Sequence, residues 1–128
     1  MNFDYALVTK KSLEQAVDDV KEALKELKFG TLWELDVPSK LKEKGVDFKG
    51  KARILEVCNP HKAKAVLEKD MNVIYFLPCK VVVYEDQGEV RLGMVRPTVF
   101  MEMLESEGLQ DFAREVEETI KTALHKAQ

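Results

Sequence analysis

Apolar residues in the segment KKSLEQAVDDVKEALKELKFG recur every three or four positions, at Leu13, Ala16, Val17, Val20, Leu24 and Leu27. That spacing makes one apolar stripe on a helix and leaves Lys, Glu and Asp on the solvated side. Ser12 and Gln15 have capping-box spacing, in which a hydroxyl and an amide side chain satisfy exposed N–H groups. Gly30 can take the left-handed conformation that ends a helix. A second stripe follows Gly108, with Leu109, Phe112, Ala113, Val116, Ile120, Ala123 and Leu124, and predicts a long helix running almost to the C-terminus.

Elsewhere the period drops to two. Residues 3–9 put Phe3, Tyr5 and Leu7 on one face, and residues 31–37 bring Leu32, Trp33 and Leu35 before Pro38 stops the strand. Residues 39–44 read as a short helix closed by Gly45, with a connector over 46–50. In residues 51–58, Ala52, Ile54 and Glu56 face one way and Arg53, Leu55 and Val57 the other. Asn59-Pro60 is a helix-start signal, because asparagine accepts from orphan N–H groups and proline fits the first helical position. Ala63, Val66 and Leu67 carry that helix to about Lys69. The apolar run 73–77 is too short for a helix, and Pro78 interrupts it because proline cannot donate to a ladder. Residues 80–85, the turn 86–89 and residues 90–95 predict a β-hairpin, which Pro97 closes; 98–104 is a helical turn or two.

The order is thus β-α-β-(short α)-β-α-β-β-(short α)-α. A hairpin late in the chain argues against an all-parallel, doubly wound sheet. The expected architecture is an α+β two-layer sandwich, a mostly antiparallel sheet with the two long helices on one face. The other face is left to solvent or to a partner subunit.

At 128 residues the chain suits one domain spanning 1–128, long enough for one core without disulfides or metal. Its 20 basic and 23 acidic side chains nearly cancel, and a net charge of −3 creates no overall field for nucleic acid or an anionic membrane. No apolar run approaches the ~18 residues that span a bilayer. The opening MNFDYALVTKKS lacks a basic stretch followed by an apolar one, so no secretory signal is expected. Two cysteines exclude a disulfide scaffold and make a reducing cytoplasm the default location.

Candidate chemistry gathers at those cysteines. Cys58 ends a strand just before a helix N-terminus, where the helix dipole lowers a thiol pKa; the plainer reading is a small buried hydrophobe. Cys79 begins the next strand. If the two strands are adjacent and antiparallel, both thiols lie close together; if parallel, they lie at opposite ends of the sheet. Cys58-x-x-His61 resembles half a zinc site, with Cys79 as a further ligand, but His125 is remote and no second paired motif exists. Glu56 sits in an apolar strand and would become an acid or base if buried, though alternation points it to the solvated face. G-x-S-x-G, Walker, G-x-G-x-x-G and H-E-x-x-H motifs are absent.

Charge is uneven. Residues 40–53 hold six basic and two acidic side chains, and residues 102–118 hold seven acidic and one basic. These are solvated segments that could pair within a subunit or across a dimer. Met71, Met94, Met101 and Met103 would suit an adaptable apolar pocket or core filling.

Three segments, KFGTLWELDVPSKLKEKGVDFKGKARILEVCNPHKAKAVLEKD, LPCKVVVYED and VRPTVF, resemble the prokaryotic family catalogued as domain of unknown function 302. The most specific marks are Cys58-Asn59-Pro60 and Leu77-Pro78-Cys79; Lys80 stands where the family often has asparagine. The resemblance implies a TATA-binding-protein-like fold, in outline one strand, a helix, four strands and a helix, with an inserted helix. It also implies a homodimer. It does not carry DNA binding, because function resides in sites rather than folds. The expected function is a small cytoplasmic dimeric module that binds a small molecule or another partner, with a site near Cys58, Asn59, Pro60, Cys79 and Glu56. No cofactor, nucleic acid or membrane is expected. The alternatives are a thiol-based enzyme or redox sensor using Cys58, and a metal-binding protein through Cys58, His61 and Cys79.

Overall fold

Ser12 accepts a hydrogen bond from the Gln15 N–H and opens helix α1, Leu13–Glu26. The capping box is half formed, because the Gln15 side chain donates to Asp19 rather than back to the cap. The left-handed residue at the other end is Lys28, with φ of 71°, and Gly30 instead begins a strand. The reason lies in packing: the Phe29 N–H returns to the Leu24 carbonyl, which drops the Phe29 ring into the core and forces the reversal at Lys28, two residues before Gly30.

The computed structural model describes residues 2–104, 106 and 108–128. Strands β1 (Asp4–Thr9), β2 (Gly30–Asp36), β3 (Ala52–Cys58), β4 (Cys79–Asp86) and β5 (Glu89–Val95) form one sheet in the order β1-β5-β4-β3-β2. All neighbours are antiparallel, and a register shift between Thr31 and Trp33 bends β2 along β3. Gln87 and Gly88 both take positive φ in the β4–β5 turn, as the right-handed twist of a tight hairpin requires. The long helices α1 and α5 (Leu109–Ala127) pack side by side on one face. This is the expected α+β sandwich.

Three short helices occupy the connections: α2 (Val37–Glu43), α3 (Pro60–Lys69) and α4 (Pro97–Met101). Pro38 does more than stop β2; Asp36 caps the Ser39 N–H and the proline sits in the first turn of α2. The run around residue 73 is helical after all, a 3-10 segment over Met71–Phe76 capped by Asp70. Its length forbade an α-helix, but Val73 is buried against Val66 and Leu109, and a tighter coil delivers it there.

The main core joins Leu55, Val57, Val81, Val83, Leu92 and Met94 of the sheet to the apolar stripes of α1 and α5. A satellite cluster of Val66, Val73, Met101, Leu109 and Ala113 lies beyond the sheet end. One carboxylate is buried between the two. Glu117 of α5, 4 % exposed, accepts from the Thr98 N–H, the Thr98 hydroxyl and the Arg96 guanidinium, and so pins the start of α4 onto α5.

The two charged stretches do not pair with each other among the described residues. Residues 40–53 engage Glu34, Asp36 and Glu85, or each other, whereas the acidic stretch engages Lys62, Arg96 and Lys121. No helix among the described residues is long and apolar enough to cross a membrane.

Candidate functional site

Antiparallel pairing of β3 with β4 puts Val57 opposite Cys79, so Cys58 is one residue past the register partner of Cys79. The two thiols, both free, come together despite their separation in sequence. They share a hollow with Phe29, Ala63, Leu77 and Phe112, but its volume is only about 10 Å³, room for no more than a water.

Cys58 stands directly before the cap of α3. The Asn59 carboxamide accepts from the His61 and Lys62 N–H groups, at 3.1 and 3.2 Å, so the donors that would stabilise a thiolate are already engaged. Burial raises the Cys58 pKa above its ordinary value, the opposite of the lowering expected from a helix dipole. Asn59→Ala is expected to cost about 1 kcal/mol of stability, checked by the denaturant midpoint; an unchanged midpoint would mean that water replaces the cap without loss.

Cys79 faces a larger space. On its far side is a cleft of about 420 Å³ between the ends of β3, β4 and β5, the 3-10 segment, α4 and α5. Its walls are Phe76, Pro78, Pro97, Phe100 and Met101, with Phe112 and Val116 beneath and Tyr75, 82 % exposed, at the rim. The Phe76 and Phe100 rings stack at a centroid distance of 5.0 Å. Glu56 and Lys80, cross-strand partners, are the charged lining residues, and neither joins an ion pair among the described residues. Burial first, and the neighbouring Cys58 second, push the Cys79 thiol up to about 11.

Among the residues singled out from sequence, Cys79 and Glu56 line this cleft, whereas Cys58, Asn59 and Pro60 lie outside it. Glu56 points away from the core, as alternation requires. His61 is exposed on the first turn of α3, beside a depression it shares with Asn59, Pro60 and Lys25. His125 hydrogen-bonds the Tyr5 hydroxyl, and no group of three His, Cys, Asp or Glu among the described residues could hold a metal ion. Of the four methionines considered, Met101 lines the cleft, Met94 is core, and Met71 and Met103 are exposed. Sequence reasoning missed Tyr75, Phe76, Pro97 and Phe100. Their signal was two aromatic segments, each abutting a proline, in VIYFLP and RPTVF.

No curated protein matches the chain. The crystal structure of an uncharacterized conserved DUF302 protein from Bacillus stearothermophilus superposes with a TM-score of 0.95 at 37 % identity, covering 100 % of both chains. The model of the family described as domain of unknown function DUF302 matches residues 5–127, including both cysteine–proline motifs, and the chain belongs to that family.

Proposed function

We propose that the protein is a cytoplasmic homodimeric module that binds a small apolar molecule in the cleft over Cys79. The observation that carries this reading is the cleft itself, about 420 Å³ walled by aromatic rings, proline and methionine with two charged groups at one side. Such concave, mainly apolar sites with few polar groups are where small ligands bind. The preferred ligand has an apolar body against Phe76 and Phe100 and a polar end at Lys80 or Glu56. Raised thiol pKa values support binding over resting thiolate chemistry at either cysteine. Two free thiols suit a reducing compartment, and a net charge of −3 favours partners other than nucleic acid or an anionic membrane.

The test is fluorescence titration with the neutral apolar dye N-phenyl-1-naphthylamine. The full chain should bind it saturably, and Val95→Trp, which fills the cleft from β5, should abolish the signal. Tyr75→Ser, at an exposed rim position, should weaken binding roughly three- to tenfold, the value of about 1 kcal/mol of lost contact. Absence of saturable binding, or equal binding by Val95→Trp, would remove the reading.

A further inference from the structure

Glu56 of β3 and Lys80 of β4 stand directly opposite each other in the antiparallel ladder. Register partners share one sheet face, with Cβ atoms about 4.5–5.5 Å apart, and opposite charges so placed ordinarily meet. Here they do not. Among the described residues the Glu56 carboxylate and the Lys80 ammonium form no ion pair or hydrogen bond, with each other or with a third group. Both line the cleft over Cys79, Glu56 half-buried and Lys80 exposed, and every other lining residue is apolar or uncharged.

An adjacent pair of opposite charges restricts what the cleft accepts. A simple acid would satisfy Lys80 but bring its negative charge beside Glu56, and a simple amine would satisfy Glu56 beside the Lys80 ammonium. A peptide carries its terminal charges residues apart, too far to face two register partners together. An α-amino acid bears both charges on one carbon, so its carboxylate can accept from Lys80 while its ammonium donates to Glu56. The rest of the cleft selects the side chain. At about 420 Å³ it has the size of a small-molecule pocket, and the Phe76 and Phe100 rings, Pro97 and Met101 offer an apolar wall that suits a large aromatic group.

We infer that the cleft takes a free α-amino acid with a bulky aromatic side chain, its two charged groups held between Lys80 and Glu56. This rests on the ligand-binding reading above and names the class of ligand.

The test is equilibrium dialysis of the full chain against radiolabelled L-phenylalanine, 3-phenylpropionate, which lacks the ammonium, and phenethylamine, which lacks the carboxylate. Phenylalanine should bind at least about fivefold more tightly than either analogue, the effect of losing one charge-assisted hydrogen bond at a solvent-accessible site. Glu56→Gln should collapse the preference over 3-phenylpropionate, and Lys80→Met the preference over phenethylamine. That crossed pattern would not follow from general damage to the cleft. The comparison of the three compounds on the wild type stands by itself should either variant fail to fold. Equal binding of the three compounds, or dye binding without retention of phenylalanine, overturns the amino-acid assignment and leaves the cleft as a site for apolar molecules. Failure of both dye and phenylalanine to bind removes the two readings together.

Discussion

Glu117→Ala is expected to destabilise the protein by roughly 2–4 kcal/mol, because it strands the Thr98 N–H and the Arg96 guanidinium that the carboxylate satisfies. Arg96 retains partial access to water, which keeps the figure below that of a fully buried broken pair. Chemical denaturation measures it directly, and a loss under about 0.5 kcal/mol, the range of ordinary surface changes, would show that the pin carries no weight. The acid limb of stability gives a second signature. Burial alone would raise the Glu117 pKa, but hydrogen bonds from Thr98 and Arg96 outweigh it and hold the group below the ordinary carboxylate range. A depressed pKa in the fold contributes stability above the unfolded value near 4.3, which disappears as pH falls through the folded value. Glu117→Gln should therefore flatten the stability profile below about pH 4. Glu34 is lowered in the same direction, first by its hydrogen bond with Lys21, so some acid sensitivity should remain.

Alkylation of Cys79 is the second large effect. With the thiol pushed from an ordinary 9.0 to about 11, its thiolate fraction at neutral pH is about a hundredfold below that of an unperturbed cysteine. Iodoacetamide labelling read peptide by peptide should be slower by at least that factor, and its rate should climb with pH without a plateau until about 11. Cys58→Ser should bring the plateau slightly down, because the second contribution to the shift is the charge of Cys58. A plateau at the ordinary value would contradict the burial that raises the Cys79 thiol. The linked effect on folding runs the other way from Glu117. A thiol whose pKa is raised by folding contributes stability below 9.0, and that contribution is lost as pH rises toward about 11. The cleft follows the same logic, since a ligand over Cys79 excludes both water and reagent and should slow labelling further.

The amphipathic helices were legible because a stripe such as Leu13, Val17, Val20 and Leu24 encodes its own period, whatever it packs against. Asn59-Pro60 was equally direct, since a cap is a local hydrogen-bonding event between residues two and three apart. Helix ends were less so. Lys28 took the left-handed turn that Gly30 was suited for because Phe29 had to reach the core, a demand made by distant strands. The cysteines show the division most clearly. Their local settings could be written from the chain, but their proximity depended on an antiparallel β3–β4 pairing that no single segment encodes. Local periodicity and capping chemistry thus laid out the elements and their buried faces. Long-range pairing alone brought Tyr75, Phe76, Cys79, Phe100 and Phe112 around one cleft. It also turned the expected shared site of Cys58 and Cys79 into a hollow too small to fill. The physical reason is that burial and cavity volume are properties of surfaces that meet, and those surfaces lie tens of residues apart in the chain.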